Sequence, residues 1–378
     1  MTDIVKRVQF LYFDAGGGHR AAATALKSVV ETQNHLWEIT LVNVQELLHS
    51  LDIFRKLTGI RLEDIYNLML ARGWTLGAAT GLKFMHGVIR TYHHPTVRLL
   101  TRHFSDCRPD LVVSLIPNFN RAISQSLHAA APTTPIATII TDFADYPPHF
   151  WIEPARPETP DRYIVCGTDR AVEQARSFGY SDRQIFRASG MILRPRFYEP
   201  VDDNRAEQRK RLGLDPSRPV ALVLFGGQGS KAMLDIARRL EETQLILICG
   251  RNEKLASALR ALPARSARHI EGFTQQIPYF MHLADFFIGK PGPGSISEAL
   301  SMKLPVIVES NAWTLPQERY NAQWVRERGV GIVLPHFRDI AGAVQQMLGS
   351  LEQYRARVAS IENRAVFEIP EFLDRLLH

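Results

Sequence analysis

Nowhere in these 378 residues do eighteen apolar residues run together, so the sequence predicts no membrane-spanning helix. The first residues, Met1-Thr2-Asp3-Ile4, lack the basic-then-apolar pattern of a secretion signal. Cysteine is scarce. Cys107, Cys166 and Cys249 follow neither a pairing nor a metal-site spacing, and they read as reduced thiols of a cytoplasmic protein. No segment is of low complexity. One further absence is local. Between Asp64 and Asp106 there is no acidic residue, yet Arg72, Lys83, Arg90, Arg98, Arg102 and four histidines fall there. Residues 47–105 hold eight Lys/Arg against three Asp/Glu, so a surplus of five out of the chain's +6 sits in that stretch. The basic character is therefore local, and no nucleic-acid partner is expected.

What is present is a regular alternation. Apolar runs at 8–13, 39–44, 111–116, 136–141 and 162–166 have the length and composition of buried parallel strands. Helical spacing fills 19–31, 120–130 and 168–178 between them. The second half repeats the scheme, with strand-like runs at 219–225, 244–249, 285–289, 305–308 and 330–334. Helices fit there at 230–241, 252–261, 295–302 and 317–328. This predicts two doubly wound α/β domains, 1–193 and 201–355, joined where Pro195 and Pro200 interrupt the periodicity. Residues 356–378 are expected to form a C-terminal helix that packs back on the first domain.

Residues 45–105 break the alternation. Leu47, Leu48, Leu51, Phe54 and Leu57 recur at helical spacing, and farther on aromatic and apolar residues interleave with the cations. Such a pattern suits a pair of interfacial helices on an anionic membrane, with Arg72, Trp74, Lys83, Phe84 and Arg90 as contact residues. A hairpin packed on its own domain is the plainer alternative.

Three glycine-bearing junctions carry the chemistry. In "FDAGGGHRAAATALKSVV" (13–30) a glycine turn joins strand to helix, and helix N-terminal N–H groups there are open to an anion. Gly16-x-Gly18-x-x-Ala21 satisfies a dinucleotide fingerprint. The acid an NAD ribose requires is missing from the end of the second strand, near Asn43 and Val44. In "LVLFGGQGSKAML", Gly226, Gly227 and Gly229 follow a strand without a Walker A frame, and a backbone cradle for a pyrophosphate remains. In "GKPGPGSISEAL", Gly292, Pro293 and Gly294 form a turn, Ser295 is placed to cap a helix and Glu298 falls in capping-box register. The next strand–helix junction offers Gln317, Glu318 and Asn321. A phosphate turn, a carboxylate and an amide/carboxylate cluster suit a nucleotide-sugar: pyrophosphate, ribose diol and hexose hydroxyls.

"DAGGGHRAAATAL", "CGRN", "EGFT" and "GKPGPGSISEAL…LPQERYNA", in this order, resemble the monogalactosyldiacylglycerol synthase and processive diacylglycerol glucosyltransferase family. More distantly they are similar to the lipid-linked N-acetylglucosamine transferase of peptidoglycan synthesis. The resemblance implies a GT-B fold, two Rossmann-like domains with an interdomain cleft. It also implies inverting hexose transfer from UDP-galactose or UDP-glucose to diacylglycerol or a related lipid, without a metal or other cofactor. The N-terminal domain would take the lipid and the C-terminal domain the UDP-sugar. Carried over, Gly227, Gln228, Gly229 and Ser230 would face the diphosphate, and Arg251 and Phe273 would lie near the uridine. Glu298 would hold the ribose, and Gln317 and Glu318 the hexose. Two departures stand out. Asp14-Ala15 replaces the family's Asp-Thr, and "TDFADYPPHFW" puts Pro147 where the family carries a histidine, with His149 two residues later.

Attack of a lipid hydroxyl on an anomeric carbon needs a general base and a stabilised leaving diphosphate. His19, at the start of the first helix, is the leading base, and Asp14 and Asp142 are alternatives or partners. The helix N-terminus favours neutral imidazole, the form a base requires. A peripheral enzyme on the cytoplasmic face of a membrane is expected. Rival readings are a UDP-sugar epimerase of the same fold, an NAD-linked oxidoreductase and a nucleotide-sensing protein without turnover.

Overall fold

The computed structural model describes residues 5–14, 18–33, 35–48, 91–146, 149–156, 161–201 and 204–378. The chain divides into two compact units, Met1–Pro195 together with Asn363–His378, and Arg196–Glu362.

In the first unit the apolar runs become parallel strands β1 (Lys6–Tyr12), β2 (Trp37–Asn43), β3 (Leu111–Ser114), β4 (Ile136–Ile139) and β5 (Arg162–Cys166). A short β6 (Ile185–Arg187) completes a sheet of order β2-β1-β3-β4-β5-β6. Helix α1 (Gly18–Thr32) buries Ala22, Ala23, Ala25, Leu26, Val29 and Val30, the i, i+3, i+4 stripe of its alanine-rich sequence. The strand order reverses between β1 and β3. Such a switch point leaves a crevice outside the strand C-termini, where α1 begins; the glycine turn at 15–17 lies outside the described residues.

Helix α2 (Val44–Leu48) follows β2 directly, and α3 (His93–Cys107) packs on α4 (Asn120–Ala130). Thr96, Leu100 and Phe104 recur every four residues on the buried face of α3, and Leu100 and Phe104 join the core with Leu11, Val112 and Ile123. The expectation that 45–105 stands apart as one membrane-facing insertion is corrected at this end. Residues 93–105 are a helix of the domain's own core, with Arg98 and Arg102 on its exposed side. The membrane-contact residues Arg72, Trp74, Lys83, Phe84 and Arg90 lie outside the described residues. Helix α5 (Asp169–Ser177) is capped by Thr168, whose hydroxyl accepts from the Ala171 N–H.

The second unit holds β7 (Val220–Leu224), β8 (Gln244–Ile248), β9 (Arg268–Glu271), β10 (Phe286–Gly289), β11 (Val306–Glu309) and β12 (Gly331–Leu334). Their order, β12-β11-β10-β7-β8-β9, is the doubly wound 3-2-1-4-5-6 arrangement, with its switch point between β7 and β10. Helices α6 (Arg205–Arg211), α7 (Ala232–Arg239), α8 (Glu253–Arg260), α9 (Ile277–Leu283), α10 (Pro293–Ser301), α11 (Arg319–Arg328), α12 (Ile340–Gly349) and α13 (Leu351–Ala359) separate or follow the strands. Asp285, just before β10, is a buried anchor. Its carboxylate accepts from Arg205, Arg209 and Arg355 at 3.0, 2.7 and 2.7 Å, tying α6 and α13 to the sheet. Burial alone would raise its pKa, but the Val220 N–H, Arg205 and Arg209 together hold it below the ordinary value.

The C-terminal segment 356–378 is not one helix. Helix α13 belongs to the second unit, and α14 (Ala365–Arg375) to the first, where it packs on α1. The break has a local cause. The Ser360 hydroxyl donates to the Arg357 carbonyl, and Asn363 Oδ1 accepts from the Ala365 N–H to start the new helix. Phe372 of α14 stacks on Phe186 with ring centroids 4.5 Å apart.

Candidate active site

In the second unit, the strand C-termini at the switch point carry the residues singled out for a nucleotide-sugar. The loop after β7 is bent by Gly226 and Gly229, whose φ values of 74° and 62° lie in the left-handed region. It rests on the turn after β8. Arg251 N donates to the Gly227 carbonyl at 2.9 Å, and Asn252 Nδ2 donates to the Gln228 carbonyl at 3.2 Å. Gly250, at φ 60°, lies so close beneath that a Cβ there would overlap the Gly227 carbonyl. A Cβ on Gly227 itself would meet nothing within 4 Å. The cradle is thus braced from behind and open in front, with Ser230 at its end accepting from the Ala232 N–H.

Arg251 lies over the ring of Phe273, 4.8 Å from its centroid, and Phe273 is 54% exposed. The pair borders a cleft of about 470 Å³ that also takes in Gly250, Ser257 and Arg260. This volume is in the range of small-molecule sites.

Helix α10 begins one turn earlier than the sequence suggests. Gly292 is its N-cap and Pro293 occupies the first helical position, a place Pro favours because its missing N–H would have no partner there. Ser295 therefore lies inside the first turn and is not the cap, so the capping-box explanation of Glu298 falls away. Gly294 is exposed, and Glu298 is half-buried on the next turn. At the following junction Glu318 is 7% exposed and its Oε1 pairs with Lys290 Nζ at 2.9 Å. Asn321 is fully buried, and its Nδ2 donates to the Pro291 carbonyl at 2.8 Å. Gln317 Oε1 and Asn321 Oδ1 are buried without a hydrogen-bond partner. Unsatisfied buried acceptors are costly. Lys290 was missed as a site residue, although it stands in the quoted "GKPGPG".

In the first unit, His19 sits in the first turn of α1. One of its ring N–H groups is served by the Leu115 carbonyl, and Nδ1 is 3.3 Å from the Thr141 hydroxyl. The tautomer that gives its N–H to Leu115 leaves the other nitrogen a lone pair. Trp151, fully buried, lies 5.7 Å from the imidazole between ring centroids. Burial pulls the His19 pKa down to about 4, against the smaller opposing effect of the Leu115 carbonyl. The imidazole is neutral at neutral pH.

Trp151 is held from several sides. Its indole N–H donates to Asp142 Oδ2 at 2.8 Å, its backbone N–H to Asp145 Oδ1 at 2.6 Å, and its carbonyl accepts from Asn120 Nδ2 at 2.9 Å. Asp142, an alternative base from the sequence, is buried with one oxygen committed to the indole. Burial pushes the Asp145 pKa up to about 6, with the Trp151 and Ile152 N–H groups opposing the rise. Asp14 is exposed and pairs with Arg20 at 3.1 Å. His149 adopts a left-handed φ of 50°. Its Nδ1 is 3.3 Å from the Ile152 carbonyl and its ring lies against Phe178. Thr141, Leu115 and Trp151 are far from His19 in the sequence, and no spacing pattern pointed to them.

Residues 220–364 match the glycosyltransferase family 28 C-terminal domain. The chain is 29% identical to a probable monogalactosyldiacylglycerol synthase 2, chloroplastic, of Oryza sativa subsp. indica, covering 99% of this chain and 81% of that protein. It is also 29% identical to the chloroplastic monogalactosyldiacylglycerol synthase of Spinacia oleracea, over 98% of this chain and 73% of the other. The crystal structure of Acinetobacter baumannii MurG has the same fold, with a TM-score of 0.64 at 11% identity over 98% of this chain and 99% of that one. The chain is a GT-B glycosyltransferase. In this glycosyltransferase the glycine cradle, the Arg251–Phe273 pair and the Lys290–Glu318 pair all fall within the family 28 domain, and His19 falls in the other unit. No group of three or more His, Cys, Asp or Glu that could hold a metal occurs among the described residues.

Proposed function

We propose that this enzyme transfers galactose or glucose from a UDP-sugar to the hydroxyl of diacylglycerol or a related membrane lipid, with inversion. A C–O bond forms between the lipid oxygen and the anomeric carbon as the bond from that carbon to the diphosphate breaks. The hydroxyl proton passes to the lone pair of His19, and UDP leaves. The N–H groups of Gly227 to Ser230 steady the developing diphosphate charge, with Lys290 after β10 as a cation for it. Arg251 and Phe273 take the uridine, Glu298 the ribose diol, and Gln317, Glu318 and Asn321 the hexose hydroxyls. Trp151, held by Asp142 and Asp145, positions His19 and keeps it dry. The chain carries out this step without a metal or cofactor, so chelation is expected to leave turnover unchanged.

The single observation that best supports the donor assignment is the glycine cradle after β7, braced from behind by the Arg251 N–H on the Gly227 carbonyl and open in front of Gly227. The lipid acceptor is supported by the likeness of nearly the whole chain to monogalactosyldiacylglycerol synthases. The proposal places the enzyme as a peripheral protein on the cytoplasmic face of a membrane; no helix among the described residues is long and apolar enough to cross one. The deciding experiment supplies diacylglycerol-containing vesicles with radiolabelled UDP-galactose or UDP-glucose and chromatographs the lipid phase. Label in a glycolipid supports the proposal. Label confined to an epimerised nucleotide-sugar favours the epimerase reading.

A further inference from the structure

Asn120, the first residue of α4, is 3% exposed, and its side chain does not cap its own helix. Asparagine near a helix start commonly serves the first-turn N–H groups. This one makes its hydrogen bonds elsewhere. Its Oδ1 accepts from the Ser114 hydroxyl at 2.6 Å, and its Nδ2 donates to the Ile116 carbonyl at 3.0 Å and the Trp151 carbonyl at 2.9 Å. These partners dictate the orientation of the amide, because only its NH2 group can satisfy two carbonyls at once.

Two of the three partners, Ser114 and Ile116, flank Leu115, whose carbonyl receives a ring N–H of His19. The Leu115 N–H is itself held by the Leu11 carbonyl at 2.9 Å. The third partner, Trp151, lies beside the imidazole. One step away the same two loops are tied again, by the Asn118 N–H on the Phe150 carbonyl at 2.6 Å, with Asn118 in a left-handed conformation at φ 66°. A single buried side chain thus joins two neighbours of His19, the carbonyl that takes its N–H and the ring that covers it. The Thr141 hydroxyl, 3.3 Å from Nδ1, both donates and accepts and so fits either tautomer. A carbonyl only accepts. The choice of tautomer falls to Leu115, and a displaced Leu115 leaves it open.

We propose that Asn120 is a positioning residue for His19, holding the Leu115 carbonyl and Trp151 so that the imidazole keeps one tautomer and one orientation. It touches no reacting atom and acts through those two residues. The proposal rests on the reading of His19 as the base.

The test uses the full-length protein with isotope-labelled histidine and UDP bound, and reads the ring nitrogens by NMR. The His19 signals are identified by their loss in His19→Gln. Wild type should show one neutral tautomer, with one nitrogen protonated and the other not. Asn120→Leu fills the space without a donor and should move both His19 nitrogens toward the averaged shifts of two exchanging tautomers. A residue that served stability alone would leave those signals in place in the folded protein. Turnover should fall about tenfold or more, with UDP affinity kept within about twofold. The same substitution added to His19→Gln should lower turnover no further, because it acts through the residue already replaced. Should Asn120→Leu fail to fold, Ser114→Ala leaves both carbonyls their donors and is expected to shift the His19 nitrogens in the same direction. Unchanged His19 nitrogen shifts in the folded variant, or an equal fold-loss of turnover in both backgrounds, overturn the proposal. Wild-type turnover in His19→Gln would instead remove His19 as the base, and the ring signals alone would then decide the role of Asn120.

Discussion

Gly250→Ala and Gly227→Ala separate the brace of the glycine cradle from its open face. At position 250 a methyl group would have to share space with the Gly227 carbonyl, whose carbon would lie 2.5 Å away. Optimal carbon–carbon separation is about 3.5–4 Å, so Gly227 has to retreat by roughly 1 Å. The left-handed φ of 60° adds about 1–3 kcal/mol of backbone strain for a non-glycine residue. Displacing Gly227 also weakens the 2.9 Å bond from Arg251 N, worth about 1 kcal/mol. The variant should lose about 2–4 kcal/mol of stability in urea denaturation. A loop misplaced by about 1 Å should bind UDP some ten- to a hundredfold more weakly. Gly227→Ala meets no neighbour and has no left-handed φ, so its stability should stay within about 0.5 kcal/mol of wild type. Its methyl group stands where the diphosphate is expected, and UDP affinity should fall about tenfold or more. Calorimetric titration with UDP reads both variants. Wild-type UDP affinity in both, or an equal loss of stability in both, would refute the placement of the diphosphate on this loop.

Glu298→Ala should weaken UDP binding by roughly 1–3 kcal/mol, the loss of a charged hydrogen bond to the ribose, and equal affinity would remove Glu298 from the site. Glu318→Ala should spare UDP and weaken UDP-hexose, and an equal effect on the two ligands would detach Glu318 from the sugar. The pH dependence of stability follows from two opposed groups. His19 has a depressed folded pKa, so its contribution is complete above about 6.5 and is lost as pH falls through about 4, a change of about 3 kcal/mol. Asp145 has a raised folded pKa, so its contribution is present below about 3.8 and is lost, by a similar amount, as pH rises through about 6. The two nearly cancel between pH 4 and 6. In His19→Gln the Asp145 slope should emerge as stability falling across that window, and a flat profile in the variant would contradict the raised pKa of Asp145. Replacing Lys83 and Arg90, outside the described residues, by Glu should release the protein from anionic vesicles in co-sedimentation without changing UDP binding, each cation contributing about 1 kcal/mol. Salt-insensitive sedimentation would speak against this contact.

The sheets were legible because parallel strands buried on both faces are continuous apolar runs, as in Val220–Leu224 and Gln244–Ile248. Two of the four edge strands escaped notice for the complementary reason. Ile185–Arg187 and Arg268–Glu271 are short, partly exposed and rich in charge, and nothing in their composition separates them from loops. Helix α3 was hidden by its histidines and by Pro95, which sits harmlessly in its first turn. The donor junctions showed in the sequence because glycine turns and polar clusters at strand ends are local features. Ser295 misled because the capping pattern competes with Pro293, which starts the helix earlier. The surroundings of His19 are a product of topology: β3, β4 and the loop to Trp151 bring Leu115, Thr141 and Trp151 to it from more than ninety residues away.

The most direct test compares wild type and His19→Ala for transfer of radiolabelled hexose into the lipid phase, with UDP-sugar and diacylglycerol vesicles both saturating. As the base, His19 should be worth roughly 10²–10⁴-fold in turnover, with little change in donor affinity. Activity of the wild type should fall only as pH approaches the His19 pKa of about 4, the imidazole being neutral above it. Turnover of His19→Ala within a few-fold of wild type, or a variant that loses donor affinity and keeps turnover, would contradict the account and turn attention to Asp14 and Asp142.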